Sequence, residues 1–255
     1  MSTHFQRAAA PATLRALALT GSLIGAALVP SGAMAAVDPA NTASVGTALA
    51  QTVQASSPDG EYQPSPAEKA VAQAEKAVSR KPRDAASRSA LAHAYLKAGR
   101  FASAQVAFED SISLGDASAR TALGLALVEI ANRHERDAIA LLDQHKDSVP
   151  ASDLGLALAL AGETGRGVAV LVDAVRSGDP SAKLRQNLAY AYALDGRWAD
   201  ARLAMAIDTP ADQVDFRLNQ WAAAMKSDGG RERVAGLLGV ALVEDAGMPA
   251  RLALN

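Results

Sequence analysis

The feature that most constrains this chain is a pattern that occurs twice. Residues 83–116 carry Leu91, Ala92, Tyr95, Gly99, Phe101, Ala104 and Phe108. Residues 183–207 carry Leu188, Ala189, Tyr192, Gly196, Trp198, Ala201 and Met205 at the same spacing. The copies stand 97 residues apart, or three periods of about 32. In each, a large, a small and an aromatic residue at i, i+1, i+4 form one helical face, and a glycine ends that helix. Large, small and large residues at i, i+3, i+7 then form the face of a second helix. The unit is a helical hairpin, and one hairpin cannot bury its own apolar faces, so others must stack beside it.

Two degenerate copies fit between these. One has Leu123, Gly124, Leu127, Ala138 and Leu142, with a slightly longer turn around Asn132-Arg133-His134. The other has Leu154, Gly155, Leu158, Gly162, Gly167, Leu171 and Ala174. The small residue (Ala92, Gly124, Gly155, Ala189) lets the two helices approach closely. Gly99, Gly162 and Gly196 suit the left-handed cap that a Cβ disfavours. The expected fold is therefore all-α, an α-solenoid of about four hairpins over residues 65–208 with capping helices at both ends. Composition agrees: aromatic residues are only 4%, which suits helices packed through Ala and Leu better than a β-sandwich.

Before this array the chain changes character. Arg7 and Arg15, an apolar run from Leu17 to Val29, and Pro30 and Gly32 precede Ala33-Met34-Ala35. This is the layout of a secretory signal peptide over residues 1–35, cleaved between Ala35 and Ala36. The run is short for a membrane span of about 20 residues. The expected location is the periplasm of a bacterial cell envelope, with no stable membrane insertion after cleavage. Residues 36–64 are rich in Ala, Thr, Ser, Gln and Pro and cannot bury enough surface to offset ordering entropy, so they read as a tether. Ser65-Pro66-Ala67-Glu68 is a capping box that opens a lone first helix, whose small face is Ala67, Ala70, Ala74, Ala77 and Val78. Lys81-Pro82 stops it. After the array, Thr209-Pro210-Ala211-Asp212 opens a capping helix over 209–227 with the stripe Val214, Leu218, Trp221 and Met225. Residues 228–255 read as a short helix, Arg231 to Val240, and an extended tail.

Composition also limits the chemistry. There is no cysteine, so disulfides, thiolate catalysis and cysteine-based metal centres are excluded. The formal net charge is −2, and Arg7 and Arg15 are the only charges in residues 1–35, so their removal leaves −4. That balance does not suit nucleic acid. Of the four histidines, His4 falls in the signal peptide, His134 reads as part of a solvated turn, and His145 ends a helix where positive charge is favourable. Gly162 to Gly167 is glycine-rich but lacks the Lys and Ser/Thr of a phosphate loop. No catalytic residue, metal site or cofactor is expected.

The order of large, small, aromatic, glycine and small positions over residues 66–208 resembles the tetratricopeptide repeat family. That family uses a period of about 34 residues. The run Arg185-Gln186-Asn187-Leu188 through Trp221 is similar, more weakly, to repeat proteins of tight-adherence (Flp) pilus assembly in bacteria. The family resemblance implies a non-catalytic scaffold that binds proteins or peptides. It also implies that Gly167 stands where an alanine is usual, which would weaken that hairpin by about 1 kcal/mol. Trp198 and Leu188 should both be nearly buried between hairpins.

The resemblance further implies that the first helices of the hairpins line a concave binding face. Carried over copy by copy, its positions are Ser89, His93, Leu96 and Lys97, then Thr121, Leu125 and Val128, then Ser152, Leu156 and Leu160, and last Gln186, Tyr190 and Leu194. Only Lys97 is positive, so a clamp for a peptide carboxylate is missing. The expected partner is an apolar or amphipathic segment, with hydrogen bonds from Gln186 and His93. Two alternatives stay open at this point. The tail after Gly230, with Val234, Leu237 and Leu238, can fold back and fill the face, and His93 can simply be packed as a neutral ring.

Overall fold

The computed structural model describes residues 63–178, 181–226 and 229–254; the expected leader, cleavage site and nearly all of the tether lie outside them. The described residues form eleven α-helices and no strand. They are α1 (Pro66–Arg80), α2 (Ala85–Lys97), α3 (Phe101–Ser113), α4 (Ala119–Ala131), α5 (Glu135–Gln144), α6 (Ala151–Leu160), α7 (Thr164–Arg176), α8 (Ala182–Leu194), α9 (Trp198–Met205), α10 (Ala211–Met225) and α11 (Gly230–Leu238), followed by a 3-10 turn at Ala250–Leu252. The pairs α2–α3, α4–α5, α6–α7 and α8–α9 pack as hairpins, and the first helices stack in order, α2 on α4, α4 on α6, α6 on α8 and α8 on α10. This is a helical solenoid.

Local chemistry places the helix ends. Ser65 Oγ accepts from the Glu68 N–H at 3.2 Å and Glu68 Oε2 accepts from the Ser65 N–H at 2.7 Å, closing the capping box of α1. Asp84, Ser118 and Ser181 cap α2, α4 and α8 by accepting from the N–H of Ser87, Thr121 and Leu184. The face that α1 buries is Val71 and Val78, with Ala74 and Glu75 beside them, whereas Ala70 and Ala77 are exposed. The larger residues won because they remove more apolar area from water.

The turns correct the expected register. Gly99, Arg133, Gly162 and Gly196 all have positive φ, at 71°, 68°, 92° and 75°. Each is the second residue of a three-residue turn, so the turn at Asn132-Arg133-His134 is no longer than the others. Arg133 occupies a left-handed position that glycine would take without strain. Counted from these turns, the spacings are 34, 29 and 34. The short step arises because α5 and α6 have 10 residues each where α2, α3 and α4 have 13. In the second hairpin Ala126 and Glu129 therefore stand where Ala92 and Tyr95 stand in the first. Gly124 faces the previous hairpin instead: a Cβ there would lie 2.4 Å from Phe108 Cζ.

Gly167 also differs from expectation. A Cβ on it would lie 2.4 Å from the Gly155 carbonyl oxygen and 2.8 Å from the Ala159 nitrogen. Gly155 and Gly167 are a matched pair that lets α6 and α7 touch backbone to backbone, so the helix-propensity penalty of glycine is offset by close packing. Leu188 is buried, but Trp198 is 37% exposed. Its counterpart Phe101 is 2% exposed because later chain crosses the α2–α3 turn; beyond α9, α11 packs on α4 and the 3-10 turn on α1.

The last helix leaves the solenoid path. α11 packs on α4 and touches α10 little. Residues 239–249 then run without regular structure to the first hairpin, and the 3-10 turn packs on α1.

A candidate peptide-binding face and the segment that covers it

The first helices bring the expected face together. Ser89 of α2 and Thr121 of α4 share a hydrogen bond of 2.7 Å, and Thr121 Oγ1 donates to Asp116 Oδ2 at 2.6 Å. Burial alone would raise the Asp116 carboxyl, but hydrogen bonds from Thr121, Ser118 and Ser111 outweigh it and hold it down at about 2. Leu96, Leu125, Val128, Leu156, Leu160 and Tyr190 are all buried in one apolar core with Val234, Ala235 and Leu252 from the C-terminal segment. Tyr190 meets Trp221 of α10 edge-on, with ring centroids 4.8 Å apart. Ser152, Gln186 and Leu194 are half-buried, and Lys97 is exposed. The Ser152 carbonyl accepts from Asn187 Nδ2 at 2.9 Å.

His93 is 6% exposed and sits edge-on to Phe108, with centroids 4.9 Å apart. Neither ring nitrogen has a hydrogen-bond partner. Desolvation, with the charges of Arg120 and Lys97, pushes its pKa down to about 3 against a small opposing effect of Asp116. It is a neutral packed ring in this arrangement, not a hydrogen-bond donor on an open surface.

The covering segment is fastened by polar contacts that the sequence reading missed. Asp245 Oδ2 accepts from the Ser103 N–H at 2.7 Å and Oδ1 from Ser103 Oγ at 2.6 Å. It thereby supplies, from 142 residues away, the cap that α3 lacks, since Arg100 at its N-cap gives none. Burial opposes ionisation of Asp245, but hydrogen bonds from Ser103, Gly247 and Arg100 keep its carboxyl below the usual range. Arg100 Nη2 donates to the Gly247 carbonyl at 3.1 Å, and its guanidinium lies 4.5 Å from the centre of the Tyr95 ring. Arg251 pairs with Glu75 at 2.9 Å. Arg88 is fully buried; Nε donates to the Pro82 carbonyl at 2.8 Å, and Nη1 to Asp110 at 2.5 Å and to the Leu252 carbonyl at 2.9 Å. One signal for Arg88 was readable: it stands at i with Leu91, Ala92 and Tyr95 at i+3, i+4 and i+7, on the buried stripe of α2. Nothing local marks Asp245.

A second polar cluster joins α3, α4 and α11. Glu129, 6% exposed, accepts from Gln105 Nε2 at 3.2 Å and pairs with His134 Nδ1 at 2.8 Å. Asn132 bridges Gln105 and Arg231. His134 is thus an exposed turn residue, as expected, whose ring nitrogen also makes a contact with Glu129. Asp137 adds a third ligand-type atom, all three within 4.8 Å. The hydrogen bonds already in place use Glu129 to hold the turn after α4.

No family model, curated protein or solved structure matches this chain.

Proposed function

We propose that this protein is a non-catalytic scaffold of the bacterial cell envelope that binds peptides or protein segments on the inner face of its helical repeats, in the manner of tetratricopeptide repeats. A place in pilus or other envelope assembly follows from the resemblance of residues 185–221 alone. One observation carries the binding reading. α4 already holds α11, and α1 and the first hairpin hold the residues after it, by means that would serve for a separate peptide. A short helix lies on α4, Arg100 of the α2–α3 turn donates to the Gly247 carbonyl, and Arg88 of α2 donates to the Leu252 carbonyl of the 3-10 turn. The chain's own segment then acts as a resident occupant that a partner of similar apolar or amphipathic character displaces.

The test compares the wild-type chain with an Asp245→Ala, Leu252→Asp variant, each titrated with a labelled peptide of residues 229–255. In the wild type the tethered segment competes at an effective concentration of about millimolar. The variant should therefore bind the peptide about a hundredfold more tightly. Equal affinity in the two chains would sink the idea of an exchangeable face. Export is read separately: N-terminal sequencing of the protein from its host should begin at Ala36, and an intact Met1 would exclude cleavage.

A further inference from the structure

The first hairpin carries a track that later chain follows. At the α2–α3 turn a Cβ on Gly99 would overlap the Ala241 carbonyl oxygen, so glycine is what lets the later chain cross there. The equivalent turn residues Gly162 and Gly196 face open space among the described residues. Beyond the crossing, α3 begins with no acidic residue in its first turn and no side-chain cap from Arg100. Its free N–H groups and partial positive charge favour a carboxylate from elsewhere. Ser103 adds a hydroxyl there, and Arg100 a guanidinium that also lies over the Tyr95 ring.

The segment on the track shows which features the track selects. The Asp245 carboxylate accepts from the N–H and hydroxyl of Ser103, from Arg100 Nε at 3.3 Å and from the Gly247 N–H at 3.1 Å. The last bond turns the chain, with Gly247 at a φ of 94° that a side chain would strain. The turn presents the Gly247 carbonyl to Arg100 Nη2. One guanidinium therefore reads a carboxylate and the backbone carbonyl two residues on, which a lysine point charge would not do. Leu252 is then buried against α1, and Arg88 of α2 takes its carbonyl. Leu242 and Val243, before the aspartate, add little, being 45% and 46% exposed.

We propose that this track is a recognition site for an extended segment of pattern Asp-x-Gly-x4-Leu, and that a partner protein carrying the pattern competes for it with residues 239–252. This rests on the exchange proposed above and names the chemistry that governs it. The aspartate is the anchor, the glycine makes the turn that reaches Arg100, and the aliphatic residue fills the seat beside Arg88. The resident segment leaves room for a competitor. Arg88 Nη2 is buried with no acceptor. A buried donor left unmet costs free energy, which an occupant bringing one more acceptor recovers.

Fluorescence anisotropy with labelled peptides of residues 239–254 tests it on the full chain carrying Asp245→Ala and Leu252→Asp, which frees the track. The peptide of native sequence should bind. A peptide with Asp245→Asn should bind about tenfold or more weakly, because an amide replaces a charged acceptor that meets several donors. The gap between the two peptides should shrink when Arg100→Met is added to the chain, since both changes act on one contact. Amide exchange on the wild-type chain, isotope-labelled and mixed with unlabelled peptide, reads the same competition without any substitution in the protein. The native peptide should lower protection of the chain's own residues 239–252, and the Asp245→Asn peptide should not. Equal binding of the two peptides by the freed chain would overturn the pattern and leave exchange standing. Equal affinity of the native peptide for the freed and wild-type chains would overturn exchange and the pattern together. So would a native peptide that neither binds the freed chain nor changes protection in the wild type.

Discussion

Replacing Arg88 by Met should lower the unfolding free energy by about 3–5 kcal/mol. The alkyl stem would still fill its space, but the substitution removes a charge that is wholly out of water. Asp110, whose side chain is 15% exposed, loses its ion-pair partner. The Pro82 and Leu252 carbonyls lose donors that nothing nearby replaces. A buried acceptor left without a donor costs about 1–3 kcal/mol, which is why the loss should exceed that of an ordinary surface ion pair at about 0–1 kcal/mol. Urea melts give the total. Hydrogen exchange gives the location: protection should fall first in residues 239–254, because Arg88 ties Leu252 to the first hairpin. A melt within about 0.5 kcal/mol of wild type would place Arg88 in water.

The second large effect should appear on acidification between pH 7 and 5. His93 has an ordinary pKa near 6.5 when unfolded and about 3 when folded. Between those values the unfolded chain binds the extra proton and the folded chain does not, so stability falls as the pH falls. The loss approaches about 1.4 kcal/mol per pH unit below 6.5, or roughly 2 kcal/mol by pH 5 from this residue. The charged groups facing His93 are Arg120 and Lys97, which oppose protonation, and Asp116, which favours it weakly. Asp116 and Asp245 have depressed values; their contributions are present above about pH 4 and lost below it, outside this window. His93→Leu should keep the packing on Phe108 and Gly124 and flatten the profile between pH 7 and 5. Identical slopes in the two proteins would mean that the ring reaches water.

Acid also loosens the covering segment, by a different route. Protonating Asp245 removes the cap of α3 and the partner of Arg100 together. Residues 239–252 should therefore loosen from the first hairpin below the usual carboxylate range, whereas the loss of stability through His93 begins near neutrality.

The hairpins were legible in residues 83–207 because their causes are local. A helix face shows as a period of 3.6 residues, a cap as Ser or Asp at its start, and a reversal as glycine with positive φ. Even so, the second hairpin was read two residues out of register. Arg133 stands where glycine would have marked the turn, and α5 and α6 are a turn shorter than their neighbours. The fold class, the helix order and the capping box at Ser65 depended on nothing beyond neighbours a few residues away. The face formed by Leu125, Leu156 and Tyr190 was legible as a stripe, but what lies on it was not. That was decided by contacts between residues 142 to 176 positions apart, such as Asp245 with Ser103 and Arg251 with Glu75. The tail could equally have packed on α10, continuing the solenoid, since both sites offer apolar surface. Only the tertiary structure selects α4 for α11, and it then brings Asp245 to the uncapped start of α3 and Leu252 to the buried guanidinium of Arg88 on α2. Polar partners that must be met at a distance leave no periodic trace in either of the segments they join.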